Sequence, residues 1–154
     1  MSNPLYGQNI ADGKLGWCKN YPVGIKAHGT LGDNLLLDAT DMVNSFAHSC
    51  DPTAARNITT PTAAQLIAAI TEKKSGGACK VGDTFNFTFI NAGTAGEDET
   101  CTMVAGSGVT IVGAPEIENP ANTHDAFSSG SGLFAVHVTN VKSSSEAVSL
   151  IRLA

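Results

Sequence analysis

The run VGDTFNFTFINAG, from Val81 to Gly93, constrains the fold of this chain more than any other stretch. Phe85, Phe87 and Phe89 alternate with Asn86, Thr88 and Ile90. Side chains two residues apart lie on one face of a β-strand, so the three rings are predicted to share a face. That face is most simply buried, since each buried aromatic side chain contributes about 1.5–3 kcal/mol. The alternative is a sugar-stacking platform, but the only Trp of the chain lies far away in sequence.

The same period of two recurs through the C-terminal half. Short alternating runs follow one another from Cys79 to Ala154, separated by Gly-, Ser- and Asn-rich turns: TFNFTFIN, TCTMVA, VTIVG, LFAVHVTNV and AVSLIRLA. Gly106 and Gly108, in the turn between TCTMVA and VTIVG, supply the positive φ that a tight hairpin needs, so these two runs are predicted to pair. Several short strands with such turns favour a small β-sandwich or β-roll.

One helix is predicted in TTPTAAQLIAAITEKKSGG, over residues 62–74. Thr60 can cap the helix with Pro61 at the first helical position. Alternatively, Thr62 and Gln65 form a capping box, in which each side chain bonds the backbone N–H of the other residue. Ala63, Leu66, Ile67 and Ile70 then make an apolar face at helical spacing. Lys73 and Lys74 suit the last turn, and Gly76-Gly77 ends the helix.

Residues 1–57 have no long periodic segment and are predicted to form an extended N-terminal arm. Their run DATDMVNSFAHS is compatible with a short helix or with a strand and a turn. An irregular stretch of ~50 residues is unusual inside a compact domain, so the arm is expected to lie on a neighbouring protein. The expected fold is therefore mainly β, with about 5–7 strands and one short helix in a module of residues 58–154.

Composition excludes several classes of function. Charged residues are 15% of the 154, hydrophobic residues are 42%, and the net charge is −5. Nucleic-acid binding needs a basic face, and the longest basic cluster is Lys73-Lys74. No apolar run approaches the ~20 residues of a membrane span. So few charges indicate that neighbouring proteins cover part of the surface.

No motif for catalysis, a metal or a cofactor is present. The four cysteines, Cys18, Cys50, Cys79 and Cys101, have no C-x-x-C spacing, which disfavours a zinc or redox site. Buried free thiols are expected, with a disulfide such as Cys18–Cys50 as the alternative. Glu97, Asp98 and Glu99 could offer oxygen ligands to Ca²⁺, but a solvated loop is favoured. With no G-x-S-x-G motif or paired histidines, a hydrolase is disfavoured and no catalytic residue is predicted.

The chain resembles a module in structural proteins of marine viruses. The phrases that carry the resemblance occur in order from Thr60 to Ala154: TAAQLIAAI, KVGDTFNFTFINAG, AGSGVTIVG, SGLFAVHVTNV and EAVSLIRLA. They are similar to virion proteins of tailed phages and of some large algal viruses. The opening NPLYGQN is similar to the start of small virion proteins of marine cyanophages.

The resemblance implies a non-enzymatic virion component, most simply a capsid decoration (cement) protein that binds and bridges capsomers. A small fibre-like or glycan-binding appendage is the alternative. Its partners would be the major capsid protein or another virion protein, and its own copies in a homo-oligomer, with a trimer favoured. It would reside in the virion after assembly in the host cytoplasm, since the opening residues lack a signal peptide's charged and apolar regions. The expected interface residues are Leu5, Tyr6, Trp17, Tyr21, Leu35, Leu36 and Leu37.

Overall fold

Two β-sheets and two short helices make up the computed structural model, which describes residues 24–74, 77–93, 99–119 and 130–154. The elements are, in chain order, β1 (Ile25–Leu31), β2 (Leu35–Leu36), α1 (Ala39–Asn44), β3 (Ala47–Pro52), β4 (Arg56–Thr59), α2 (Ala63–Lys73), β5 (Thr84–Asn91), β6 (Cys101–Val104), β7 (Val109–Val112), β8 (Glu116–Ile117), β9 (Ser131–Asn140) and β10 (Ala147–Arg152). The prediction of a mainly β fold with a short helix is confirmed. The strands number ten rather than five to seven in the described ranges.

The chain alternates between the two sheets through its first eight strands. The larger sheet has the order β1-β3-β5-β9-β10-β7, and the smaller has the order β2-β4-β6-β8. Strands β1, β3 and β5 run parallel in the first sheet, and β2, β4 and β6 run parallel in the second. Strand β9 then joins the larger sheet antiparallel to both β5 and β10. Within both parallel sets, neighbouring strands are therefore separated in sequence by a strand of the other sheet.

The core lies between the inner faces of the sheets. Phe87 and Phe89 of β5 are buried, Phe85 is half-buried, and the Phe87 ring stacks on Phe134 of β9 with centroids 5.6 Å apart. Ile58 and Met103 of the smaller sheet belong to the same hydrophobic cluster. The prediction that the phenylalanine face of β5 forms core is thus confirmed.

Helix α2 begins at the capping box of Thr62 and Gln65, whereas the predicted end at Gly76-Gly77 falls partly on residue 76, which lies outside the described ranges. Thr62 Oγ1 accepts a hydrogen bond from the backbone N–H of Gln65, and Gln65 Oε1 accepts one from the backbone N–H of Thr62. The buried side of the helix, which includes Leu66 and Ile70, completes the core, whereas Ile67 is only half-buried. Lys74 caps the C-terminus.

The run DATDMVNSFAHS combines the two alternatives that its sequence left open. Asp38 caps α1 by accepting a hydrogen bond of 2.9 Å from the backbone N–H of Asp41. Met42 and Val43 bury against the core, and β3 begins directly afterwards at Ala47. The segment therefore holds both a helix and a strand, because Asp38 caps the start of the helix and Ser45 ends it before the strand begins.

The expectation of an extended arm up to Asn57 is wrong for the part of it that the structure describes. Residues 25–57 contribute β1, β2, β3 and the first half of β4, and they take part in both sheets. Strands β1 and β2 lie at sheet edges, and the interior strands β3 and β4 have the sequences AHSCDP and RNIT, in which large apolar residues are too few to show an alternation. Residues 1–23 lie outside the described ranges.

The predicted hairpin between β6 and β7 is also wrong, since the two strands belong to different sheets. A Cβ on Gly106 would lie 2.5 Å from the carbonyl oxygens of Thr60 and Pro61, and Gly108 has a φ of 75°. The AGSG turn carries the chain from one sheet to the other beneath the segment that leads into α2. Both glycines are therefore required by close approach and turn geometry rather than by strand pairing.

Neither helix within the described ranges is long and apolar enough to cross a membrane. Both helices instead bury one side in the core, and they contact each other.

Replacing Phe87 by Ala should lower the free energy of unfolding by about 3–5 kcal/mol, because the site is enclosed by ordered side chains and cannot collapse fully. Phe46→Ala is the matched control. Phe46 is 61% exposed, so its loss should cost less than about 1 kcal/mol. Urea unfolding followed by circular dichroism measures both, and equal losses would contradict the assignment of Phe87 to the core.

Candidate functional site

The six-stranded sheet turns one face toward the core and the other away from it. On β5 the buried residues alternate with exposed or half-buried ones, and the strand registers continue this division across the sheet. The outward-facing residues lie in four rows of four. The rows are Thr110–Ser149–His137–Thr84, Val112–Ile151–Ala135–Asn86, Leu133–Thr88–Ala47–Ile25 and Ser131–Ile90–Ser49–Ala27. We call these sixteen residues the uncharged outer face; Ala47 and Ala135 are buried within it, and the other fourteen are exposed or half-buried.

No Lys, Arg, Asp or Glu occupies any of these positions, although the chain has 9 basic and 14 acidic residues. Charged residues are 15% of the chain, so about two of sixteen positions would be charged by composition alone. His137 is the titratable residue of the face, and its Nδ1 lies 3.0 Å from Thr84 Oγ1. Asp51, two residues beyond Ser49, lies at the margin. The smaller sheet differs, since its row Asn57–Thr102–Glu116 includes a carboxylate.

The face is aliphatic as well as uncharged. Ile25 is 59% exposed and Val112 is 47% exposed at opposite edges of the sheet. Leu133, Ile90 and Ile151 are half-buried between them. Threonine, serine and asparagine fill most of the remaining positions. Contiguous surfaces of this kind mark sites of protein association, because covering them removes apolar area from water.

A pair of histidines joins the edge strand β1 to the core. His28 Nε2 lies 3.0 Å from His48 Nδ1, and the two rings are nearly parallel. His48 is fully buried, and its ring packs edge to face with the Phe87 ring, with centroids 5.9 Å apart. A bulge in β1 between Ala27 and Thr30 accompanies this contact. One ring donates and the other accepts, so the bond requires that at least one histidine be neutral.

The surroundings of the pair favour the neutral state. Burial, and then the charge of His28, lowers the pKa of His48 from 6.5 to about 4, and Asp41 opposes this. Burial and Lys26 lower the pKa of His28. Asp41 forms an ion pair of 3.0 Å with Lys26. The backbone of Asp41 raises the pKa of His48 by favouring its protonated form. Nε2 of the His48 ring has no hydrogen-bond partner. The pair therefore joins the edge strand β1 to the buried β3 as a contact between neutral rings.

The acidic run Glu97–Glu99 lies largely outside the described residues, but Glu99 itself is buried. Its Oε2 accepts a hydrogen bond of 2.7 Å from Asn119 Nδ2. Asn91, at the end of β5, donates to the backbone carbonyls of Glu99 and Ile117. These bonds tie the larger sheet to the smaller one. Burial of Glu99 was not predicted, because its acidic neighbours suggested a solvated loop.

Cys50, Cys79 and Cys101 are buried free thiols, as expected, and Cys18 lies outside the described residues. The alternative of a Cys18–Cys50 disulfide is wrong, since Cys50 is free. Its Sγ lies 3.6 Å from that of Cys101, so the two thiols meet across the interface between the sheets. This hydrogen bond, and then burial, raises the pKa of Cys50. Burial raises the pKa of Cys79 to about 11.

An open groove of about 330 Å³ runs between the two helices. Its polar side chains come from Asp38, Thr40, Gln65 and Glu72, beside Leu36 and several alanines. Asp38 is occupied in capping α1, and Gln65 in capping α2. Within the described ranges, no three His, Cys, Asp or Glu side chains converge to hold a metal ion. The described residues of the groove therefore offer no set of metal ligands.

The predicted interface residues are dispersed. Leu5, Tyr6, Trp17 and Tyr21 lie outside the described residues. Leu37 belongs to the core, and Leu35 is half-buried against it. Leu36 is 68% exposed and remains a predicted contact. The uncharged outer face was not predicted as a site, because its rows depend on the strand order.

Comparison with known proteins identifies no relative. No family model, no curated protein and no solved structure matches the chain.

The His28–His48 pair should make the protein less stable in acid. The folded pKa of His48 is about 4, below the ordinary 6.5, so the unfolded chain binds more protons between these values. The free energy of unfolding should therefore be highest above pH 6.5 and should fall as the pH is lowered toward 4. Urea unfolding at about pH 7 and about pH 4.5 measures this loss. His48→Gln should show a smaller loss, and an equal loss in both proteins would contradict the assignment.

The buried thiols should resist alkylation in the folded protein, because they are enclosed and the pKa values of Cys50 and Cys79 are raised. Iodoacetamide followed by peptide mass spectrometry should find Cys50, Cys79 and Cys101 unmodified in native buffer and modified in ~6 M guanidinium chloride. Rapid labelling of Cys50 in native buffer would show that the interface between the sheets opens.

Proposed function

We propose that this chain is a non-enzymatic virion structural protein, specifically a capsid decoration protein that binds and bridges capsomers. The observation that carries the proposal is the uncharged outer face of the six-stranded sheet. Sixteen outward positions without a carboxylate, ammonium or guanidinium group favour contact with protein over contact with water. The resemblance to structural proteins of marine viruses supplies the kind of assembly.

The rest of the described molecule supports a structural role. Its buried polar groups bind one another across the sheets, as Asn91 does with the carbonyls of Glu99 and Ile117. The histidine pair lies behind an edge strand, and the groove between the helices is lined by residues that cap those helices. A decoration protein needs rigidity and a surface for contact, and this molecule offers both.

An acidic protein that binds a preformed shell gains from repeated weak contacts. The net charge of −5 disfavours the encapsidated nucleic acid as a partner. Many copies on one lattice bind with an avidity that exceeds the affinity of each contact. Leu36, exposed at the edge of the smaller sheet, gives a further apolar contact on another side of the molecule.

Quantitative mass spectrometry of purified virus particles from the source of this sequence tests the proposal. The chain should be present in particles in a constant ratio to the major capsid protein, and should persist through density-gradient purification. Absence from purified particles, with the protein abundant in the infected-cell lysate, would overturn the proposal.

Immunogold labelling of the same particles separates decoration from an appendage. Label distributed over the whole shell is the expected result, since a decoration protein follows the capsid lattice. Label confined to one vertex or to a tail would replace decoration by the appendage alternative, and a glycan array would then be the next measurement.

A further inference from the structure

We propose that Cys50 and Cys101 are a modification site at which a small-molecule disulfide oxidises the chain, forming a disulfide that links the two sheets. The two Sγ atoms lie 3.6 Å apart at the interface between the sheets, and both side chains are buried. The site is independent of the proposed function. The pairing follows from the position of the sulfur atoms, from the way in which their strands are held, and from the chemistry of thiols.

The two cysteines face each other from opposite sheets. Cys50 is a buried residue of β3 in the larger sheet, and Cys101 is a buried residue of β6 in the smaller sheet. A disulfide bond is about 2.05 Å long, so sulfur atoms that start 3.6 Å apart must approach by about 1.5 Å. Rotation of the two side chains shares this movement between them. Buried disulfides join the inner faces of two packed sheets in immunoglobulin domains, so the spacing of packed sheets is compatible with such a bond.

Strand pairing holds the backbone of each cysteine in place. Cys50 is in register with Asn91 of β5, and Cys101 is in register with Ile117 of β8. The Asn91 side chain donates a hydrogen bond of 3.1 Å to the carbonyl oxygen of Ile117 and another to that of Glu99. These two bonds connect the sheets directly beside the sulfur atoms. They therefore set the separation of the sheets at this point and keep the thiols in contact.

The chemical step is thiol–disulfide exchange, and it balances with one molecule of the small disulfide. The thiolate of one cysteine attacks a sulfur atom of the reagent, forms a mixed disulfide and displaces one small thiolate, which takes up a proton. The thiolate of the other cysteine then attacks the protein sulfur of the mixed disulfide, forms the Cys50–Cys101 bond and displaces the second small thiolate. Each cysteine gives up one electron and one proton, and the reagent is reduced to two thiols.

Burial decides when the exchange occurs and which cysteines take part. The side chains of Cys50 and Cys101 are 2% and 0% exposed, so the reagent reaches them while the sheets are apart, during folding or during an opening of the interface. Approach of the sheets then brings the second sulfur atom to the first. Cys79 is buried as well, but its Sγ lies 3.9 Å from the carbonyl oxygen of Lys80. Cys79 is therefore expected to remain a thiol.

Refolding of the full chain with Cys18→Ser in a buffer of reduced and oxidised glutathione tests the proposal. The substitution removes the cysteine that lies outside the described ranges. Alkylation in guanidinium chloride and peptide mass spectrometry should then find the Cys50–Cys101 linkage and an alkylated Cys79. The bond joins residues 51 positions apart, so the melting temperature should exceed that of the same protein in dithiothreitol by about 5–15 °C.

Cys101→Ala and Cys79→Ala are matched variants in the same background, since each removes one buried thiol. The gain in melting temperature in glutathione over dithiothreitol should vanish in Cys101→Ala and persist in Cys79→Ala, because only the first removes a partner of the bond. Comparing each variant with itself in the two buffers cancels any loss of packing. If Cys101→Ala fails to fold, the linkage mapped in the Cys18→Ser protein decides alone.

Protein that refolds in the glutathione buffer with Cys50 and Cys101 unlinked would overturn the proposal, as would a bond from either of them to Cys79. Recovery in dithiothreitol alone, or an oxidised form that melts below the reduced one, would overturn it too, because the native spacing would then exclude the bond. If the chain refolds in neither buffer, native protein held in the glutathione buffer for several days is mapped in the same way and judged by the same outcomes. The measurements on virus particles are unaffected by these results, so the proposed function is tested separately.

Discussion

The stacking of Phe87 on Phe134 is the contact on which the rest of the structure depends. It joins β5 to β9, and these two strands link the parallel half of the larger sheet to its C-terminal half. The same rings form the inner wall against which Ile58 and Met103 of the smaller sheet pack. The edge of Phe87 also supports His48, whose bond to His28 attaches the edge strand β1. Because successive residues of a strand face opposite sides, the inward position of these rings fixes the outward position of Asn86, Thr88, Leu133 and Ala135. The core and the uncharged outer face are thus two consequences of one register.

The sequence was informative where structure is local. The capping box of Thr62 and Gln65, the alternation in TFNFTFIN and the burial of its phenylalanines all depend on residues close together in the chain. The strand order could not be predicted from the sequence, because each parallel pair joins strands that are separated in sequence by at least one other strand. Gly106 and Gly108 illustrate the difference. Their composition is that of a hairpin turn, yet close approach of the Thr60 and Pro61 carbonyls explains Gly106. The strands before Asn57 were not predicted because β1 and β2 are edge strands and the interior strand β3, AHSCDP, has few large apolar residues.

The uncharged outer face was partly visible in the sequence. The outward residues of TFNFTFIN, LFAVHVTNV and AVSLIRLA are uncharged in each run taken separately, and the low total of charged residues indicates a covered surface. What no single run shows is that Ile25 and Ala47 continue the same row as Thr88 and Leu133. The face exists only after six strands have been placed side by side. An interface of this type is therefore a property of topology, and residue types alone give its composition but not its location.

The alternation of the chain between the two sheets also restricts the order in which the protein can be completed during synthesis. Strand β7 is paired in the larger sheet only with β10, and β5 is joined to β10 only through β9. Until residues 131–152 leave the ribosome, the larger sheet exists as two unconnected parts, β1-β3-β5 and β7. The β9–β10 hairpin, which follows the other eight strands in the sequence, is the piece that unites them. A nascent chain that lacks this hairpin cannot form the complete uncharged outer face, because two of its six strands and the link between the other four are missing.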